Sequence, residues 1–328
     1  MRISTFRFRR ATGAAALSLA VLVAGAGCGA DASPATRAAT PQSGVSAVAS
    51  LQPAPSQAEV GRLLHRLEAK RNLRIGAYAI DPETGRFVSH RADERFPYTS
   101  TFKAIVCGGV LQKARTSDPG LMERVIHYTE DDLVDWSPVT EKHVGTGMTV
   151  SALCHAAITQ SDNTAGNLVM KQLGGPAGLT RFFRSLGDDA SRADRWETAL
   201  NDWKPGERRD TTVPRTWAAN LRALTVGDAL VPEDRAQLIA WMKANTTGDE
   251  RIRAGLPDHW TIGDKTGTGG TYGNANDIAV AWPEPGRDPL VMVVLTTAKK
   301  KDAEADDDAV AETAAILARG LGQRVGRG

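Results

Sequence analysis

The spacing of apolar residues changes period along this chain, and each change marks an element. Gln57 to Asn72 (QAEVGRLLHRLEAKRN) places Val60, Leu63, Leu64 and Leu67 on one stripe at helical spacing. LRIGAYAID then alternates, ends at the turn DPETG and returns as RFVSH, the pattern of a hairpin. The middle, from about Asp93 to Lys243, is mostly helical in pattern with long connections. After it, HWTIGDKTGTGG, NDIAVAWPEP and PLVMVVLTTAKK are rich in Val, Ile and Thr and broken by Gly and Pro, which predicts strands. An amphipathic helix is expected from Ala303 to Arg319. This order predicts an α/β fold of the α+β type: a five-stranded antiparallel sheet flanked by the terminal helices. An all-helical subdomain interrupts it between the second and third strands. The α/β part takes residues 57–92 and 244–328 and the helical part 93–243, with the cleft between them as the natural place for a site.

Residues 1–32 read as an export signal, basic in MRISTFRFRR and apolar up to Cys28. Two processing routes stay open. Cys28 after Ala26-Gly27 resembles a lipoprotein box, in which the cysteine is acylated and anchors the chain to the outer side of a membrane. Cleavage after ADA, ending at Ala32, would instead release a secreted or periplasmic protein. Residues 33–56 are Ala, Ser, Pro, Thr, Gln and Gly with few large apolar residues, a flexible spacer. The domain then occupies 57–328 of the 328 residues, ample for a large core. Export leaves Cys107 and Cys154 in an oxidising compartment, so a disulfide between them is expected, against the alternative of two buried thiols. A formal net charge of +2 gives no reason to expect a nucleic-acid partner. Histidines are few and scattered, with no metal-ligand spacing, so neither a metal nor a cofactor is expected.

Four polar motifs stand out. In YTSTFKAIVCGGV, Ser100 precedes Lys103 by three residues, ahead of an apolar run. If Ser100 begins a helix, Lys103 shares its face, and a desolvated amine beside a hydroxyl can take its proton. Alone, this spacing more often means a serine cap and a surface lysine. Ser161-Asp162-Asn163 interrupts two helical runs and sits on a short turn; by itself it is an ordinary cap pattern. Lys265-Thr266-Gly267-Thr268 lies on a strand whose small residues leave its edge open to an extended substrate, with cationic and hydroxyl groups suited to a carboxylate. Glu197 and Asn201, in RWETALN, fall in a loop and could clamp one water between them.

All four occur in order, and together the chain resembles the class A serine β-lactamases, among the penicillin-recognising serine enzymes. The resemblance covers nearly the whole mature chain. It implies that Ser100 attacks the lactam carbonyl, that Lys103 is its buried partner and that Ser161 relays a proton to the lactam nitrogen. The backbone N–H groups of Ser100 and Thr268 would form the oxyanion hole, and Glu197 with Asn201 would activate the deacylating water. Whether Lys103 or Glu197 takes the proton in acylation stays open. Asn163, Lys265, Thr266, Gly267 and Thr268 would bind substrate; Trp136 would stack on it and Arg251 would serve its carboxylate. Arg195 and Asp210 match an ion pair that closes the Glu197 loop, and Cys107 and Cys154 match a pair that some members bridge. Thr99 and Gly269 stand where many carbapenem-hydrolysing members carry cysteines, which counts against strong carbapenem hydrolysis. The implied partners are β-lactams and clavulanate-type inhibitors, acting on a monomer. A wall-building peptidase is the nearest rival, and Glu197 discriminates against it. A non-catalytic sensor would carry additional transmembrane and signalling segments, and no apolar run beyond the export signal is expected to supply one; an adhesion module would not need these residues in this order.

Overall fold

The computed structural model describes residues 54–325; the export signal, Cys28 and most of the spacer lie outside the described residues. Helix α1 (Gln57–Arg71) starts where Ser56 Oγ accepts the Glu59 N–H, and stops at Asn72 in the left-handed region. Strands β1 (Leu73–Ile80) and β2 (Phe87–His90) follow as the expected hairpin. Six helices make the helical part: α2 (Phe102–Thr116), α3 (Val150–Thr159), α4 (Asn163–Gln172), α5 (Gly175–Ser185), α6 (Pro214–Thr225) and α7 (Pro232–Lys243). The chain then returns as β3 (Thr261–Gly269), β4 (Asn274–Trp282) and β5 (Leu290–Ala298), and α8 (Asp307–Gly320) follows.

The five strands form one antiparallel sheet in the order β2-β1-β5-β4-β3. β5 lies between β1 and β4 and is buried along its whole length. Its alternate residues serve two cores. Val291, Val293 and Leu295 meet the helical part, whereas Leu290, Met292 and Val294 meet α1 and α8. That double burial explains why LVMVV reads as an unbroken apolar run in an antiparallel strand. The last helix begins later than its apolar pattern suggested. Ala303 is held in a bridge with Tyr272, and Asp306 accepts the Ala309 N–H to cap α8 at Asp307.

Helix α2 is buried continuously from Phe102 to Leu111, because helices and sheet surround it. Its small residues set how closely those neighbours approach. A Cβ on Gly108 would lie 2.8 Å from the Leu224 side chain, and one on Gly109 would lie 2.7 Å from that of Leu173. Cys107 on α2 and Cys154 on α3 are the correction to the sequence expectation: they are two buried free thiols, not a bridge. Cys107 Sγ lies 3.9 Å from the Cys154 carbonyl oxygen. Burial, reinforced by the Cys107 thiol, pushes the Cys154 thiol well up, so the thiolate needed for disulfide chemistry is disfavoured. No helix among the described residues is long and apolar enough to cross a membrane.

An aromatic cluster supports the start of α2. The Trp217 ring on α6 stacks on Tyr98 at 5.3 Å between centroids and meets Phe183 edge-on at 5.4 Å. Its Nε1 donates to Thr101 Oγ1 at 3.0 Å. Trp217→Ala is therefore expected to cost about 3–5 kcal/mol in urea unfolding, with Trp217→Phe clearly milder. A loss below about 1 kcal/mol for the alanine variant would show that this cluster does not anchor the turn.

Candidate active site

Ser100 sits in a single 3₁₀ turn, Thr99–Thr101, that runs directly into α2. The turn is pinned from both sides. Thr99 Oγ1 and Thr101 Oγ1 donate to the Tyr98 carbonyl, and Asn276 Nδ2 on β4 donates to Thr99 Oγ1 at 3.0 Å. β3 presses against it at Gly267, where a Cβ would lie 2.1 Å from Thr99 Oγ1 and 3.0 Å from the Ser100 nitrogen. Only glycine lets the strand come this close.

One turn on, Lys103 is 0% exposed, and its Nζ donates to Ser100 Oγ at 2.8 Å, the Ser161 carbonyl at 2.9 Å and Asn163 Oδ1 at 2.5 Å. Ser100 Oγ in turn donates to Glu197 Oε1 at 2.9 Å, and that oxygen lies 3.1 Å from Lys103 Nζ. Burial draws the Lys103 ammonium below its ordinary range, and the Glu197 carboxylate opposes this. Asn201 Nδ2 donates to Glu197 Oε2 at 2.7 Å. Asn167 on α4 brackets the backbone of Glu197, accepting its N–H and donating to its carbonyl, both at 2.9 Å. Farther along the loop, buried Asp210 accepts Arg195 Nε at 2.6 Å and the N–H groups of Asp194 and Arg195. The expected ion pair thus closes this segment.

Ser161 follows α3 at φ 55°, and Asp162 caps α4. Asp162 also accepts Thr140 Oγ1 and the N–H groups of Val139 and Thr140, fixing the preceding loop. Asn163 Nδ2 donates to the Asp135 carbonyl at 2.8 Å, so its side chain ties that loop to Lys103. From β3, Lys265 Nζ donates to Ser161 Oγ at 3.0 Å and to the Thr266 carbonyl at 2.7 Å. Lys265 is also fully buried. Burial first, and then the Lys103 charge, lower its ammonium to about 7 against the pull of Asp264 and Asp277. Asp277 is pushed well up by burial and by Asp264, whose own carboxyl is raised by burial despite its bond from Arg253.

The structure therefore brings Ser100, Lys103, Ser161, Asn163, Glu197, Asn201 and Lys265 into one connected network. Thr266 Oγ1 meets Thr247 Oγ1 at 2.5 Å, and Thr268 Oγ1 accepts Arg251 Nη2 at 2.8 Å. Arg251 differs from a free carboxylate clamp. It is buried, and its guanidinium donates to Asp307 Oδ1 and to the carbonyls of Gly267 and Asn276 as well as to Thr268. Trp136 is 66% exposed, with Nε1 donating to the Gln160 carbonyl, while its own carbonyl accepts the Asn163 N–H. Sequence reasoning missed Asn167, Thr247, Asn276 and the Asp264–Asp277 pair. Asp264 and Asp277 left a signal, each as a charge within a strand segment of the sequence.

The model of the beta-lactamase enzyme family matches residues 59–321. The chain is 56% identical over 256 residues to the beta-lactamase AST-1 of Nocardia asteroides, covering 78% of this chain and 82% of that protein. It is 49% identical over 248 residues to the carbapenem-hydrolyzing beta-lactamase KPC of Klebsiella oxytoca, covering 76% and 84%. Among solved structures, the beta-lactamase of Streptosporangium roseum superposes with a TM-score of 0.80 at 57% identity, over 81% of this chain and 99% of that one. An ancestral class A beta-lactamase gives 0.75 at 53% identity, over 79% and 98%.

The placement of Lys265 has a direct consequence in titration. Its ammonium is expected to lose its proton near pH 7, so the positive charge facing Ser161 is present below that value and lost above it. Carbon-13 NMR of labelled lysine side chains, with Lys265→Arg for assignment, should show a resonance titrating about three units below an ordinary lysine. A midpoint near 10 for that resonance would contradict the reading.

Proposed function

The chain belongs to the beta-lactamase enzyme family and is a class A serine β-lactamase, which hydrolyses β-lactams and confers resistance to them, and we propose that it does so through an acyl-enzyme on Ser100. Ser100 Oγ attacks the lactam carbonyl carbon while its proton passes to a neighbouring base. The carbonyl oxygen becomes an oxyanion facing the N–H groups of Ser100 and Thr268. The ring C–N bond breaks, and the departing nitrogen takes a proton from Ser161 Oγ, which Lys265 Nζ at 3.0 Å can replace. Water then attacks the ester and gives its proton to Glu197; the acyl C–O bond to Ser100 breaks, and the Ser100 oxygen takes that proton back.

What supports this reading is the unequal reach of two bases. Lys103 Nζ and Glu197 Oε1 both touch Ser100 Oγ, so acylation has two groups able to take its proton. Glu197 Oε2 faces Asn201, whose buried Oδ1 is without a protein partner and can accept from a water held between them. Removing Glu197 thus leaves acylation a base and deacylation none. A wall-building peptidase would not need this loop latched by Arg195, Asp210 and Asn167.

In the same reading, Lys265, Thr266 and Thr268 receive the substrate carboxylate, and Arg251 supports it by orienting Thr268 Oγ1. The rim ring of Trp136 stacks on the substrate. Clavulanate-type inhibitors would enter by the same acylation. A Cβ on Gly269 would lie 2.9 Å from Thr99 Cγ2, so these two positions face each other with no cysteine at either, and carbapenem turnover should be weak. The enzyme acts outside the cytoplasm as a monomer, released or held through Cys28.

Glu197→Gln should lower benzylpenicillin turnover about 10²–10⁴-fold while leaving Ser100 reactive. Intact-protein mass spectrometry after brief exposure should find one persistent adduct on the variant, mapped to Ser100, and little on the wild type. A long-lived adduct on the wild type would favour a penicillin-binding role, and full turnover by the variant would remove Glu197 from the mechanism.

A further inference from the structure

On the other face of the sheet from α2, helix α1 and the edge strand β2 bring together a second polar cluster that the hydrolytic reaction does not use. His65 and Glu68 stand one turn apart on α1, and His90 ends β2. One ligand atom from each lies within 4.8 Å of the others. His65 Nδ1 is 3.3 Å from Glu68 Oε2, and His90 Nε2 is 3.4 Å from Glu68 Oε1. The two separations run to different oxygens of Glu68, so one ion would sit between the imidazoles with the carboxylate chelating it or turned slightly toward it. Two imidazoles and a carboxylate are also a donor set that zinc accepts.

The three side chains differ in a way that suits a site. His90 is 5% exposed, and its Nε2 approaches Glu68 without closing a hydrogen bond, leaving a buried nitrogen unpartnered. His65 is 63% exposed, so it can adjust and gives access from solvent. Glu68 is oriented from behind. Arg91 Nε donates to Oε1 at 2.7 Å and Nη2 to Oε2 at 2.9 Å, and the Ile75 N–H donates to Oε1 at 2.8 Å. The hydrogen bond between His65 Nδ1 and Glu68 Oε2 is the contact that an ion would replace, and Arg91 acts as a ligand-orienting neighbour. Its charge weakens cation binding, and Glu94, 3.0 Å from Arg91 Nη1, offsets part of that charge.

We infer that His65, Glu68 and His90 form a site for a divalent transition-metal ion, zinc being the fitting case, which ties α1 to the edge strand β2. The residues come from two elements, which is why linear spacing in the sequence did not reveal them. Bound metal would stabilise the fold by linkage and leave the chemistry at Ser100 untouched.

Calorimetric titration of the mature protein with ZnCl₂, paired with thermal unfolding, tests this. One saturable ion per chain is expected, with a midpoint rise of about 2–4 °C for each kcal/mol of linkage. His65→Ala should weaken binding at least tenfold with kcat/KM on benzylpenicillin unchanged, and His90→Gln should abolish it. Because His65 is exposed, its variant decides the matter even if His90→Gln does not fold. No saturable binding up to about 1 mM zinc, or equal binding by wild type and His65→Ala, would overturn the site.

Discussion

Two lysine side chains, Lys103 and Lys265, are fully buried beside the nucleophile's network, and much of the architecture around it answers that constraint. An ammonium taken out of water costs several kcal/mol unless charges and hydrogen bonds replace its solvation. Lys103 finds them in Glu197, Asn163, Ser100 and the Ser161 carbonyl. These partners come from three segments, so the arrangement depends on the start of α2, the Ser161–Asn163 turn and the Glu197 loop arriving together. Asn167 and the Arg195–Asp210 pair hold that loop in place. Lys265 comes from β3, where Asp264 and Asp277 oppose the loss of its proton without preventing it.

The two-part fold follows from the same requirement. The helical part carries the nucleophile and Lys103 on a helix with no solvent face over its first turns. The sheet brings a strand edge up to that helix, and Gly267 permits the close approach. The second core, between the sheet and helices α1 and α8, is separate in side chains but not in consequence. Asp307 at the start of α8 accepts Arg251 Nε, and Arg251 reaches through to Thr268 beside the cleft. The far side of the sheet thereby helps to set the orientation of a hydroxyl at the site.

Much of this was legible in the sequence, and the reasons differ by feature. Period-two alternation in β1 and the apolar run of β5 were plain, because these two central strands pair with each other over nearly their full length. The serine–lysine spacing was readable because both residues lie within one helical turn. Arg251 was visible as a charge, but not as a buried connector, since its partners lie on β3, β4 and α8. Asn167, Asn276 and Thr247 carried no local pattern; their roles come from contacts between distant segments. The helix start at Asp307 was missed because apolar period alone ignores Asp306 as a cap. The cysteines paired in the sequence reading on compartment and number, whereas the structure keeps them as neighbouring thiols.

The central claim is that Lys103 and Glu197 form one mutually dependent buried pair across Ser100. A double-mutant cycle on unfolding free energy tests it most directly, with wild type, Lys103→Met, Glu197→Gln and the double variant measured under one set of conditions. The account predicts strong non-additivity: once one charge is gone, removing the other should be less costly by at least about 1 kcal/mol. Additive effects, within about 0.3–0.5 kcal/mol, would contradict it.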